Sequence, residues 1–146
     1  MRTASSVLQA VAGIAGLTLI VLGVLFWMGH AYQLLSLHMG LGIVLVLALW
    51  VQAVLAARTG VGAGMVVFAL IWGAVVFAFG MVQTRILPGE YHWMIRVLHL
   101  VFGIIAMQLV GRLGMRVRGS AASSADGSRT GREAGPFAHP HRGSRS

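Results

Sequence analysis

Residues 34–57 read LLSLHMGLGIVLVLALWVQAVLAA: twenty-four residues without a charged side chain and without proline. About 20 helical residues suffice to cross the hydrocarbon core of a bilayer. An unbroken helix also forms its backbone hydrogen bonds within the segment, as a chain surrounded by lipid must. Residues 34–57 therefore predict one transmembrane helix.

Three further stretches have the same apolar, proline-free character: residues 7–29, 61–83 and 93–113. The connections at residues 30–33 and 58–60 are so short that the helices they join must be antiparallel neighbours. Pro88 marks the third turn. The sequence thus predicts an all-α polytopic membrane protein, an up-down-up-down four-helix transmembrane bundle within residues 1–115.

The composition excludes most other classes of protein. Hydrophobic residues make up 58% of the chain and charged residues only 10%, against about 25% charged residues in a soluble domain. The absence of cysteine excludes disulfides, thiolate zinc sites and iron–sulfur clusters. The first apolar stretch is longer than the core of about 7–15 residues in a cleaved signal peptide, so we expect it to be retained as a span.

The eleven basic residues are all arginine and give a formal net charge of +8. Such a charge is typical of nucleic-acid binding, but six arginines lie in the last thirty-one residues and four others flank apolar stretches. We therefore expect a lipid bilayer as partner and no nucleic acid.

Arginine placement also predicts the orientation of the bundle. One side carries five arginines: Arg2, Arg58, Arg112, Arg116 and Arg118. On the other side, Arg85 alone flanks the spans. By the positive-inside rule, the chain is expected to be a multi-pass protein of the cell (plasma) membrane with both termini cytoplasmic.

After Met115 the composition changes to Gly, Ser, Ala and Arg. Such a segment buries too little apolar surface to offset the entropy of ordering it. Its arginines suit contact with anionic lipid headgroups. Residues 116–146 are therefore predicted to be a disordered basic cytoplasmic tail.

A weak internal repeat relates the second and fourth spans. A shift of 61 residues lays His38 on His99, Gly42 on Gly103, and the leucine before each histidine on its counterpart. The shared element is His-x-x-x-Gly. Because spans two and four run parallel, the two histidines are predicted to lie at nearly the same depth, close to the outer end of the bundle.

These residue types in this pattern point to a haem site. Neutral imidazole is a good ligand for haem iron, and a glycine one turn away on the same face leaves room for a flat, bulky group. We expect one haem b between His38 and His99, lined by Gly42 and Gly103. The alternatives are that the histidines hydrogen-bond across helix contacts, hold another metal or relay protons, or that a methionine is the sixth ligand.

Three further polar residues lie around this pattern. His92 precedes His99 by seven residues and His30 precedes His38 by eight, so each lies on a similar helical face, closer to the membrane surface. We expect His30 and His92 to lie near the haem propionates or a partner. Arg96, inside the fourth span, is expected either to pair with a propionate or to extend to the lipid headgroups.

With this pattern, the chain resembles the four-helix membrane cytochromes of b type, and most of all one half of the heme A synthase family. In that family each half is a four-helix bundle, and histidines near the outer ends of its second and fourth helices flank a haem. The resemblance covers residues 7–113 and implies that His38 and His99 are axial ligands.

This sequence departs from that family at three points. In the catalytic half of the family a glutamate precedes the first histidine by one helical turn, where this chain has Leu34 and Leu35. An arginine commonly follows that histidine, where this chain has Met39. The chain also provides one bundle rather than two, so oxidation of a haem methyl group is not expected of it alone.

The sequence leads to one principal hypothesis and two alternatives. The principal hypothesis is a haem b protein that passes electrons near the extracytoplasmic face, with quinone or an extracytoplasmic redox protein as partner, rather than a stand-alone enzyme. The first alternative is a non-redox accessory or assembly protein, in a homo-oligomer or a larger membrane complex, whose histidines serve helix packing. The second is a haem-modifying or quinone-linked enzyme, although no span contains a carboxylate to act as general base.

Overall fold

Four long helices make up the part of the chain that the structure describes. The structure, a computed structural model, describes residues 2–133, with side chains at residues 3–120, 122 and 123. The helices are α1 (Arg2–Trp27), α2 (Leu35–Arg58), α3 (Ala63–Val82) and α4 (His92–Glu133), and short 3-10 helices occupy Tyr32–Leu34 and Gln83–Arg85. All four are long and apolar enough to cross a membrane. The predicted all-α class with four membrane-spanning helices is confirmed.

Glycines end the first two helices. After α1, Gly29 adopts a φ of +81°, and after α2, Gly60 adopts a φ of +76°. Beyond α2, the amide of Val61 donates to the carbonyl of Ala56 at 3.2 Å and the amide of Gly60 to that of Ala57 at 3.5 Å. The equivalent pair of bonds follows α1. Both ends are Schellman motifs, in which a residue with positive φ closes the last turn and lets the chain reverse.

Contacts at the two ends show the relative directions of α1, α2 and α4. At one end, Gln52 Nε2 donates to Ser5 Oγ at 2.6 Å, and Ser5 Oγ donates to the carbonyl of Gly114 at 3.5 Å. At the other end, His38 near the start of α2 lies beside His99 near the start of α4. The helices α2 and α4 are therefore parallel, and α1 runs against both.

The two halves of the bundle pack differently. We call the end with Arg58, Arg112, Arg116 and Arg118 the arginine end, and the end with His30, His38, His92 and His99 the histidine end. Helix α2 contacts each of the other three helices, yet its buried residues all lie from Leu45 onward, toward the arginine end. Alanines such as Ala53 and Ala106 are buried in this core, and small residues let helix backbones approach closely. Toward the histidine end, α2 contributes no buried residue.

The structure differs from the sequence prediction at its C-terminal part. Helix α4 continues through residues 116–133, where the sequence predicts a disordered tail, and residues 134–146 lie outside the described part. Val117 is buried, and Arg118 Nη1 donates to Gln9 Oε1 of α1. The packing of α4 against α1 thus extends beyond the predicted span, and a helix propagates readily from a turn that is already formed.

A methyl group at Gly114 should loosen the arginine end. A Cβ there would lie too close to the side-chain amides of Gln9 and Gln52, so we expect Gly114→Ala to lower the free energy of unfolding by about 1–3 kcal/mol. The control is Gly119→Ala on the same helix, where a Cβ meets no heavy atom within 4 Å and should leave stability unchanged or raise it by up to about 1 kcal/mol. Unfolding of both variants in detergent micelles measures the difference. Equal effects would contradict the close approach of α1 and α2 to Gly114.

Candidate functional site

The histidine end brings His38 and His99 together. His38 is the fourth residue of α2 and His99 is the eighth residue of α4. Their ring centroids lie 6.4 Å apart, with an angle of 44° between the ring planes, and both side chains are half-buried. The structure agrees with the prediction that the two imidazoles lie at one depth, and their binding role stays a prediction.

Phenylalanine rings from the other two helices each contact one imidazole of this pair. Phe79 of α3 stacks on His99, with centroids 6.0 Å apart and planes 20° apart. Phe26 of α1 meets His38 edge-on at 5.4 Å. A Cβ at Gly80 would lie 3.4 Å from His99 Cε1, so this glycine lets α3 approach the imidazole. The sequence did not single out these three residues as part of the site, because they lie outside the His-x-x-x-Gly repeat.

Both imidazoles carry an unpaired buried nitrogen. The Nδ1 atoms of His38 and His99 are buried without a hydrogen-bond partner among the described residues. Buried polar atoms are almost always paired in folded proteins, and an unpaired one costs about 1–3 kcal/mol. Within the described residues, neither Nδ1 atom therefore joins its helix to another through a hydrogen bond.

Open space adjoins each histidine. Gly42 and Gly103 lie one turn beyond His38 and His99, on the same helical faces. A Cβ added at either glycine would meet no heavy atom within 4 Å. Each position therefore has room for a further group. A larger residue in place of the glycine would fill that room.

The pair suits a metal group that brings most of its own ligands. Within the described part of the chain, no three His, Cys, Asp or Glu residues lie close enough together to hold a metal ion, and a zinc site built by protein alone needs more than two ligands. A haem brings most of the ligands of its own iron and would need few from the protein. With ring centroids 6.4 Å apart, His38 and His99 would be the two residues to hold such a group.

The three outer residues, His30, His92 and Arg96, differ in exposure. His30 and Arg96 are exposed, and His92 is half-buried with its Nδ1 at 3.3 Å from the carbonyl oxygen of Ile86. Among the described side chains, no hydrogen bond or ring contact joins them to the pair. Their expected place near propionates or a partner stays a prediction.

Comparison with known proteins provides no independent identification. No family model, no curated protein and no solved structure matches this chain. A function for the chain therefore has to be inferred from its residues and their geometry.

Removing either histidine should not weaken the haem-free bundle. Because His38→Leu and His99→Leu each delete a buried unpaired nitrogen, we expect the unfolding temperature of haem-free protein to stay the same or rise. Trp72→Phe is the comparison variant, since it deletes an indole N–H that donates to the carbonyl of Phe102 at 3.2 Å and should cost about 1 kcal/mol. Thermal unfolding in detergent measures all three. Losses in the histidine variants as large as that of Trp72→Phe would mean that the imidazoles hold the helices together.

Proposed function

We propose that this chain is a membrane-embedded haem b protein that passes single electrons near the histidine end of the bundle. The observation that carries the proposal is the pair of adjacent imidazoles, His38 and His99, with unpaired Nδ1 atoms and with free space at the neighbouring glycines.

Each residue of the site has a definite task in this proposal. His38 and His99 would hold the haem iron through their ring nitrogens, and Gly42 and Gly103 would leave room for the group. Phe79 packs against His99 and helps to keep water from the pair. Bound haem supplies reversible one-electron oxidation and reduction. The two imidazoles and the low polarity around them would be the protein's means of setting its potential.

The depth of the pair suits exchange of electrons with a partner at the membrane surface. His38 lies three residues from the start of α2 and His99 seven from the start of α4, or about 5 and 11 Å along the helices. Quinone headgroups or an extracytoplasmic redox protein fit this position. Exposed Arg96, three residues before His99, is suited to pair with a propionate.

The proposal includes an orientation. The arginine end carries four of the five arginines that the positive-inside rule counts on the cytoplasmic side, with Arg2 at the start of α1 as the fifth. The histidine end then faces away from the cytoplasm. Both termini are cytoplasmic, and the protein lies in the plasma membrane.

The absorption spectrum is the direct test. Protein purified from haem-replete cells should show a sharp Soret band that shifts on reduction with dithionite, with one haem per chain. His38→Ala and His99→Ala should each abolish or radically alter the spectrum, because each would remove a residue proposed to hold the iron. Thr18→Ala, whose hydroxyl bonds within α1 to the carbonyl of Ile14, serves as the control and should keep the spectrum. Colourless wild-type protein would contradict the proposal.

Glycine variants form the second arm of this test. Gly42→Val and Gly103→Val add side chains where no heavy atom lies within 4 Å, so they should fold and yet lower the haem content several-fold. Gly40→Val is matched to them, because Gly40 also has open space at Cβ but lies two residues from His38, on the opposite side of α2. Equal haem content in all three variants would place the cofactor elsewhere.

Cysteine labelling tests the orientation. The chain has no cysteine, so Gly62→Cys and Glu90→Cys, both at exposed positions in connections on opposite sides, each provide a single thiol. A membrane-impermeant maleimide added to intact cells should label Glu90→Cys and leave Gly62→Cys unlabelled until the membrane is opened. The reverse pattern would invert the proposed topology.

A second candidate is a non-redox accessory or assembly protein. The ring contacts of Phe79 with His99 and of Phe26 with His38 favour it, because they show both imidazoles packed against neighbouring helices. It predicts colourless protein and a loss of stability in the histidine-to-leucine variants. A haem-modifying or quinone-linked enzyme is less well supported, since the first acid along the chain, Glu90, lies in the third connection and the next is Asp126.

A further inference from the structure

A groove runs between α1 and α4 toward the arginine end. It has a volume of about 370 Å³, and Ala12, Met107 and Val110 are among the apolar residues that line it. Binding sites for small molecules commonly have volumes of about 300–1,000 Å³. The groove lies away from the imidazole pair, which does not line it.

One end of the groove is polar. Arg118 Nη1 donates to Gln9 Oε1, and Gln9 Nε2 donates to the carbonyl of Gly111 at 2.9 Å. These bonds hold the half-buried guanidinium at the mouth of the groove. A guanidinium has five N–H donors in a fork that matches phosphate, so Arg118 has further donors for a ligand while it keeps its contact with Gln9.

The groove has the length and the order of polarity of a lipid in one leaflet. Arg118 and Met107 are eleven positions apart on α4, which corresponds to about 16 Å at the rise of an α-helix. Half of the hydrocarbon core of a bilayer measures about 15 Å. The charged group lies at the surface end, and the apolar lining extends toward the middle of the membrane.

Two glycines that line the groove and the charge around it complete the site. A Cβ at Gly13 or Gly111, one on each helix, would meet no heavy atom within 4 Å, so side chains leave the space between the helices free. Arg112 and Arg116 are exposed on α4 nearby. No acidic residue occurs in the sequence between Glu90 and residue 126. The local charge is therefore positive and favours a ligand with net negative charge.

We infer that this groove binds one anionic phospholipid, with the headgroup phosphate on Arg118 and an acyl chain laid over Gly13 and Gly111 toward Met107. The inference does not depend on the haem proposal. It assigns the polar contact between Gln9 and Arg118 a role in positioning the arginine for the headgroup.

Native mass spectrometry of the purified chain tests this inference. The protein in detergent is mixed with equal concentrations of dioleoylphosphatidylglycerol and dioleoylphosphatidylcholine, which share acyl chains and differ in net charge. We expect one bound phosphatidylglycerol per chain, retained about fivefold more than phosphatidylcholine, the factor for one arginine at an anionic surface. Arg118→Gln should reduce this preference to near one, and Gly13→Leu should reduce retention of both lipids.

Arg58→Gln is the matched control, because Arg58 is an exposed arginine at the same end of the bundle and does not line the groove. It should leave the preference for phosphatidylglycerol within about twofold of wild type. Equal retention of the two lipids by wild-type protein would overturn the inference. So would the same loss in Arg58→Gln as in Arg118→Gln, or chain dimers in place of lipid-bound monomers.

Discussion

The parallel contact of α2 with α4 is the constraint on which the rest of the structure depends. Near the arginine end Gln52 of α2 lies close to Gly114 of α4, and near the histidine end His38 lies beside His99. The first pair is separated by 62 residues along the chain and the second by 61. The two helices therefore keep one register over fourteen residues, about 21 Å. A different register would separate the imidazoles.

The two ends of this contact have different physical character. At the arginine end, small buried residues and the bonds among Gln52, Ser5 and Gly114 hold three helices together. At the histidine end, α2 buries nothing before Leu45. Functional sites often carry local instability that the remainder of the fold offsets. This division suits a bundle whose packed half positions the histidines and whose open half has room for a ligand.

The sequence predicted where the two histidines lie, but it did not predict which residues surround them. The 61-residue repeat placed His38 and His99 at matching depth, because two parallel helices with equivalent positions must present them at one level. Phe26 and Phe79 could not be assigned to the site in that way. They come from the two helices outside the repeat, and one phenylalanine in an apolar span resembles any other until the neighbouring helix is known. The same applies to Gln9 and Arg118, which meet across α1 and α4 despite a separation of 109 residues.

The sequence alone determined that the chain forms four apolar helices and where the short connections force reversals, because a segment in lipid must satisfy its backbone locally. Hydropathy did not determine the helix ends: α1 begins at Arg2 rather than residue 7, and α4 continues to Glu133 rather than residue 113. Beyond the predicted ends, Ser5 of α1 and Val117 and Arg118 of α4 are buried or hydrogen-bonded between helices. Only the tertiary structure decided which helix faces meet, which side-chain nitrogens remain unpaired and where the groove lies. Contacts between helices depend on how well one helix surface fits another and not on the polarity of either surface.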